Sequence, residues 1–328
     1  MKKVSGILVV VLTMLTITHH QVLGQDPIYS QFYSSPLSLN PALAGSSSKF
    51  NNRVSVNYRN LLSQNGISMF KTSAVSYERK LNKSGSKDYF SVGGLFLSER
   101  MGNGLLTQSF GNLTTSYYNA LNEEGTTGIS AGLSVTYGNR MLDLDKARTQ
   151  DMFGSYGFTS TGTSLDPSLS NININYTYVN AGLGYDARVS ERDQMHIGVA
   201  MYRVSKPKET KLGGTNLDPR YVLETRYTKQ INTREVVEIV GASQWMSDRN
   251  FTTVGAKYGK LLSDKDHSLE VGVYNRINDA VIPYLGFGLD NGANHLKFGL
   301  SYDIVTTKVR TIYNAQSTAE LSFVWSWK

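Results

Sequence analysis

The 328-residue sequence contains no cysteine. Disulfide bonds, thiolate zinc sites and thiol nucleophiles are therefore excluded. Histidine is also scarce, because beyond residue 24 only His196, His267 and His295 occur, and none lies in a Gly-x-Ser-x-Gly, nucleotide-binding or zinc-ligand pattern. We accordingly predict a protein that is not an enzyme, with no catalytic residue, no cofactor and no metal.

The sequence has no apolar run long enough to predict a transmembrane helix. Its mean hydropathy is −0.28, and its formal net charge of +7 is dispersed along the chain, so no nucleic-acid partner is expected. A helical membrane protein is thereby excluded. A β-barrel is not, since only alternate residues of a barrel strand face lipid.

The first 52 residues divide into two segments. Lys2 and Lys3 precede an apolar stretch and the small-residue site that ends at Gly24, which predicts a signal peptide over residues 1–24 and export to the outer membrane. Residues 25–52 contain three prolines and a Gly-Ser run, which are incompatible with a regular strand. We expect an N-terminal periplasmic segment that hangs free or folds into the barrel as a plug or cap.

The C-terminus shows a strict alternation of large apolar and small or polar residues. Leu321, Phe323, Trp325 and Trp327 share one face of an extended strand. This pattern is typical of the closing strand of an outer-membrane barrel and less so of an edge strand in a soluble sandwich. We therefore take Phe323, Trp325 and Trp327 as a candidate assembly signal that faces outer-membrane lipid.

Period-two alternation recurs through residues 53–328. In 127–138, Ile129, Leu133 and Tyr137 share a face, and the opposite face carries only glycine, serine and threonine, which suits a lumen that must leave space. The pattern predicts an all-β fold, a closed transmembrane antiparallel β-barrel of about fourteen strands. The predicted strands are 53–60, 67–80, 88–98, 108–119, 127–138, 174–190, 194–203, 220–230, 234–246, 251–260, 268–277, 280–289, 294–304 and 317–327.

The lengths of the connections predict the orientation of the barrel. The longest, 139–173, 204–219 and 305–316, are all odd-numbered, which places them outside the cell if the chain enters from the periplasm. Their size makes them candidate cargo-facing loops. Phe153, Tyr156 and Phe158 are the candidate anchors, although they could equally pack the longest loop over the barrel mouth.

Several charged residues point to the lumen by strand parity. The first and last strands of a closed barrel are neighbours, so Arg53 or Arg59 could meet Glu320 inside it. Such a cluster would tie the closure and hold the N-terminal segment, whereas a charged pore lining is the alternative. The complete predicted lumen cluster is Arg53, Arg59, Lys297, Asp303 and Glu320.

Three stretches carry a family resemblance: Gln25 to Gly45, which includes Asn-Pro-Ala-Leu-Ala-Gly, then Arg53 to Asn60, and Phe298 to Asp303 followed by Glu320. Together they resemble the PorP/SprF family of the type IX secretion and gliding machinery over nearly the whole chain after residue 24. The resemblance implies that the motif residues form the binding or plug site: Asn40, Pro41, Ala42, Gly45, Asn57, Tyr58, Arg59 and Asn60.

The resemblance further implies a non-enzymatic outer-membrane barrel that assists secretion or surface anchoring of one large adhesin-like protein. Its partners would be outer-membrane lipid, the secreted type IX cargo and periplasmic type IX components. The alternative is a transporter of small hydrophobic molecules, similar to FadL-type barrels, which also have fourteen strands and an Asn-Pro-Ala hatch. A transporter needs an apolar pocket in the lumen, and a secretion partner needs exposed surface for protein.

Overall fold

The structure, a computed structural model, describes the chain from Pro27 to Lys328 apart from residues 47–48, 64–67, 83–85, 145–152, 155–156, 159–171, 208–215, 248, 263–265 and 307–314. The predicted signal peptide, 1–24, lies outside the described residues. Among the described residues, none of the helices combines the length and apolar character needed to cross a bilayer.

Fourteen antiparallel strands form a closed barrel, as predicted. Each predicted strand is present, with ends that differ by a few residues. The strands are β1 (Asn52–Ser63), β2 (Ser68–Asn82), β3 (Tyr89–Met101), β4 (Leu106–Ala120), β5 (Gly128–Leu142), β8 (Ile172–Arg188), β9 (Asp193–Tyr202), β10 (Arg220–Gln230), β11 (Glu235–Met246), β12 (Arg249–Leu261), β13 (His267–Arg276), β14 (Ala280–Asp290), β15 (Asn294–Val305) and β16 (Ala315–Trp327).

The closure joins the first strand to the last. β1 pairs with β16 along its length, from Asn52 opposite Trp327 to Ser63 opposite Ala315. Because the two edge strands of the sheet pair with each other, the barrel has no open strand edge. The register places Arg59 directly opposite Glu320.

Alternation along the strands separates an apolar outer face from a polar inner face. In β5, Ile129, Leu133 and Val135 are exposed, whereas Ser130 and Ser134 between them are buried. The same outward row of large apolar residues runs along β15 and β16. This is an inverted arrangement relative to a water-soluble protein, and it suits a surface in contact with lipid.

The long predicted loop contains a short hairpin. Its two strands, β6 (Phe153–Gly154) and β7 (Gly157–Phe158), pair antiparallel and are separate from the barrel. Phe153 and Phe158 are opposite each other in this pairing, and Tyr156 lies outside the described residues. The role of these aromatic residues therefore stays a prediction.

The segment before β1 is compact and nearly all buried. It contains a 3-10 turn (Phe32–Ser34), a one-turn α-helix (Pro36–Leu39) and a second 3-10 turn (Pro41–Leu43). Pro36 and Pro41 each begin a helical turn, where a missing N–H costs no hydrogen bond. Leu37, Leu39 and Leu43 join clusters with inward-facing residues from many strands, so the core of the molecule lies inside the barrel.

Candidate functional site

Asn40 organises the turn at the centre of the N-terminal segment. Its side-chain oxygen accepts a hydrogen bond from the Ala42 N–H at 2.8 Å, which is an N-cap. Its side-chain nitrogen donates to Glu224 Oε1 at 2.9 Å and to the Leu183 carbonyl at 3.1 Å. Asn40 is completely buried, and all of its polar atoms are satisfied by the turn and the wall. One residue therefore both shapes the turn and fixes it to β8 and β10.

The wall beneath this turn is built from glycine. Gly132 and Gly182 are opposite each other in the β5–β8 pairing. A Cβ atom at Gly132 would overlap the backbone of Pro41 and Ala42, and one at Gly182 would overlap the Asn40 side chain. The small lumen face predicted for β5 is therefore occupied by the turn rather than by open space.

Glu320 holds the first part of the segment. Its two carboxylate oxygens accept hydrogen bonds from the backbone N–H groups of Ser30 and Gln31, at 2.7 and 3.0 Å. The Gln31 side chain extends this contact, because it donates to Ser301 Oγ at 3.0 Å and accepts from Ser322 Oγ at 2.6 Å. The carboxylate is fully buried and, in effect, pairs with a short piece of backbone.

Two arginines balance the acidic charge at this end. Arg276 pairs with Asp303 at 2.6 Å, and Arg59 lies 3.3 Å from Asp303 and 3.8 Å from Glu320. Arg59 also donates to the Ile28 carbonyl at 2.6 Å, and the Ser30 hydroxyl donates to Asp303 at 2.7 Å. Removing one member of such a cluster would leave a buried charge without compensation, which is strongly destabilising.

Arg53 belongs to a separate anchor at the other end of the segment. It pairs with Glu78 at 2.6 Å, and the second oxygen of Glu78 accepts the Gly45 N–H at 2.7 Å. Gly45 has a positive φ of 69°, and a Cβ there would overlap Ser91 Oγ, so glycine is required on both counts. Arg53 therefore acts on the segment through Glu78 and does not meet Glu320.

Lys297 lies in a third charged group. It pairs with Glu270 at 2.7 Å, and Lys257 bridges Glu270 and Glu238 at 3.5 and 3.0 Å. The Lys257 ammonium also lies 5.0 Å from the centre of the Tyr33 ring. The predicted lumen cluster is thus divided: Arg59, Asp303 and Glu320 meet, whereas Arg53 and Lys297 have other partners.

The remaining motif residues divide by strand parity. Asn57 is buried on the inner face of β1, Tyr58 is exposed on the outer face, and Asn60 is half-buried there. Phe323, Trp325 and Trp327 share the outward face of β16, as placed from the sequence, with Trp325 and Trp327 ring centres 4.4 Å apart.

His196 lies inside the barrel between two carboxylates. Its Nδ1 is 2.9 Å from Asp186 and its Nε2 is 3.4 Å from Glu224. With both ring nitrogens facing acceptors, the imidazole has no free nitrogen to take a proton from a hydroxyl, so this arrangement does not form a nucleophilic triad. Within the described ranges, no group of three or more histidine or acidic side chains is placed to hold a metal.

The segment runs through the barrel from one end to the other. Ser30 bonds to Asp303 and Arg276, near the end of β15 and at the end of β13. Gly45 bonds to Glu78, near the opposite end, where β1 begins. Pro27 and Ile28 are half-buried, in contrast to the buried residues that follow. The first described residues therefore lie at the end that carries the long connections.

The phenol of Tyr29 is enclosed at this end. It is buried among apolar residues of the wall, including Leu97 and Phe110. Burial, with a smaller contribution from the charge of Glu320, raises the pKa of Tyr29 well above its ordinary value. The phenol is neutral at physiological pH, and its burial among apolar side chains disfavours the phenolate further.

Sequence reasoning missed the residues that complete these anchors: Glu78, Asp186, Glu224, Glu270 and Arg276. Strand parity would have placed each of them inside, because each alternates with exposed apolar residues. It would not have shown which partners they take, since that depends on the register and on the path of the N-terminal segment.

The sequence and the fold were compared with known proteins. The family model for the type IX secretion system membrane protein PorP/SprF matches residues 22–325. No curated protein matches the chain.

Among solved structures, the fold is similar to a FadL homologue from Pseudomonas aeruginosa, at 12% identity, a TM-score of 0.54 and coverage of 88% of this chain and 92% of that one. It is also similar to the Ralstonia pickettii toluene transporter TbuX, at 9% identity, a TM-score of 0.52 and coverage of 90% and 94%. At these identities the similarity shows the fold alone.

Proposed function

The chain belongs to the PorP/SprF family of type IX secretion system membrane proteins, and from this premise we propose that it assists the secretion or surface anchoring of one large adhesin-like protein. The observation that carries the proposal is the match of the family model to residues 22–325, which covers the N-terminal segment and the barrel together. We place the barrel in the outer membrane, after removal of residues 1–24, and assign it no enzymatic activity.

The N-terminal segment acts in this proposal as a plug. Residues 27–46 contact the wall on opposite sides of the barrel, through Ser30 to β15, Asn40 to β10 and Gly45 to β2. Three separate anchors are more than a connection needs. They support a segment that closes the lumen and remains in place while the surface loops engage a protein.

The cargo-facing surface is assigned to the loop end of the barrel. A stable protein interface needs about 800 Å² per partner. The long connections between β5 and β8, β9 and β10, and β15 and β16 all leave from this end. Phe153 and Phe158, with Tyr156 between them in sequence, remain the candidate aromatic anchors, since aromatic residues carry much of the binding energy at interfaces. Periplasmic type IX components are the candidate partners at the short-turn end.

Transport of a small hydrophobic molecule is the second candidate, because the fold is similar to FadL-type barrels. The cavity beside Phe32 and Tyr33 gives it no support. A cavity between the segment and the wall, lined by residues including Phe32, Tyr33 and His196, has a volume of about 10 Å³. Ligand pockets usually measure about 300–1,000 Å³. This cavity is therefore far too small for such a ligand.

Deletion of the gene, followed by quantitative proteomics of the cell surface and medium, tests the proposal. We expect the loss of one or a few large proteins that carry type IX signals, with the rest of the secretome unchanged. Complementation with the intact gene is the control. An unchanged secretome combined with impaired uptake of a small hydrophobic nutrient would reject secretion in favour of transport.

A further inference from the structure

The exposed apolar residues on the outer face of the barrel form a belt. This belt does not reach the loop-side end of the wall on every strand. On β14 and β15 the exposed apolar residues continue to the strand ends at the loop side, with Val281 and Ile304. On the sector from β2 to β8 they stop lower, with the exception of Met141. There the last belt row is formed by cross-strand neighbours, Val75, Phe96, Gly111 and Tyr137. The strands of this sector continue past that row, so part of the sheet projects beyond the apolar belt.

The outward face of the projecting sheet is polar apart from Met141, which is exposed. Its two rows follow the register from β2 through β3, β4 and β5 to β8. The row next to the belt is Ser73, Ser98, Ser109, Asn139 and Asn175, and the row beyond it is Lys71, Arg100, Thr107, Met141 and Asn173. Neither row contains a carboxylate. The face therefore offers hydroxyl and amide groups together with two positive charges.

Lys71 and Arg100 are the notable pair. They are directly opposite each other on β2 and β3, and both are exposed. Neither makes an ion pair or a side-chain hydrogen bond within the described residues, whereas inward cations such as Arg59 and Arg276 have carboxylate partners. Like charges placed directly opposite in a sheet repel each other. An anion bound between them would reverse the sign of this interaction.

We infer that Lys71 and Arg100 bind the phosphate of an anionic glycolipid in the outer leaflet, with the Ser and Asn row contacting its sugars. Lysine and arginine both bind phosphate, and arginine does so with two parallel donors. The pair lies about 10 Å beyond the belt row, given the rise per residue and the tilt of barrel strands. Val75 and Phe96 below it would contact the acyl chains, and this continuity with the belt favours a lipid over a protein. The inference rests on the outer-membrane placement proposed above.

The test measures binding of a purified phosphorylated glycolipid to the delipidated, detergent-solubilised full-length barrel. The variant Lys71→Gln/Arg100→Gln is compared with Arg79→Gln/Lys229→Gln, which removes the same charge from exposed outward positions at the opposite end. We expect roughly 30-fold weaker binding for the first variant, because it loses both cations that attract the phosphate. The second variant should bind as the wild type does. Both should retain the wild-type melting temperature, which shows that they fold.

Two further probes identify the ligand. The dephosphorylated glycolipid should bind the wild type as weakly as the phosphorylated form binds Lys71→Gln/Arg100→Gln. Equal affinity of the wild type and that variant for the glycolipid would overturn the inference. An increase in melting temperature with inorganic phosphate as large as that with the glycolipid would also overturn it. Because this assay uses purified protein, its result does not depend on export. Failure of the proposed export function can therefore be distinguished from failure of the glycolipid inference.

Discussion

Gly132 and Gly182 are directly opposite each other on β5 and β8, and the Asn40–Ala42 turn packs on both of them. The wall carries no side chains at the two positions where the backbone of the N-terminal segment comes closest to it. The contact is therefore a property of two distant parts of the chain, and changing either part should disturb it.

Gly132→Ala should destabilise the barrel by about 1–3 kcal/mol, because the added methyl overlaps backbone atoms of Pro41 and Ala42 and overpacking costs about this much. Gly111→Ala is the matched control, since a Cβ there has no atom within 4 Å. Denaturant unfolding in detergent measures the difference. Equal stability of the two variants would contradict the close contact of the turn with β5.

Glu320→Gln should release the first anchor. One amide oxygen cannot replace two carboxylate oxygens that accept from Ser30 and Gln31, and Arg59 loses a negative charge. We expect a loss of about 3 kcal/mol in stability, the lower range for breaking a buried charge cluster. Glu235→Gln, at the end of β11, should leave stability nearly unchanged, because its pairing with Lys260 lies at the solvent-exposed surface. Similar effects of both variants in denaturant unfolding would argue against a special role for Glu320.

Deletion of residues 26–48 should leave a barrel that folds but conducts small ions, because every strand of the closed barrel pairs with two other strands and none pairs with the segment. Planar bilayer recording of the purified protein measures this, with the intact protein as the low-conductance control. In cells, the same deletion should abolish cargo export while the barrel level at the membrane is kept. Unchanged conductance and export would reject the plug.

A cysteine at Ile28 should react with a membrane-impermeant maleimide applied to intact cells, because this residue lies half-buried at the loop end of the barrel. The chain has no cysteine of its own. Asn216→Cys, in the connection before β10, is the positive control, and Glu123→Cys, in the short turn after β4, should react only after the cells are permeabilised. Reaction at position 28 only after permeabilisation would show that the segment begins on the periplasmic side.

Trp327→Asp should lower the amount of barrel in the outer membrane, because it removes the last aromatic residue of β16 and its ring contacts with Tyr77 and Trp325. The charge itself is near the membrane interface, where it costs only about 0–1 kcal/mol. Lys328→Asp adds a negative charge next to this position while keeping the aromatic residue. Quantitative immunoblotting of outer membranes compares the two, and normal levels of Trp327→Asp would exclude an assembly role.

The sequence by itself determined the barrel. Each strand has a two-residue period, so the face that meets lipid and the face that meets the lumen can be read locally, as in β5 from Ile129 to Tyr137. The closure followed as well, because a barrel must join its first and last strands. The inward direction of Arg59, Asp303 and Glu320 needed only this parity.

Only the tertiary structure decided which inward residues meet. Arg53 and Arg59 have the same parity on the same strand, yet one pairs with Glu78 and the other lies beside Asp303 and Glu320. Their partners depend on the register of neighbouring strands and on the path of residues 27–46 through the barrel. That path is set by contacts between residues hundreds of positions apart, such as Ser30 with Glu320, and no local pattern encodes these contacts.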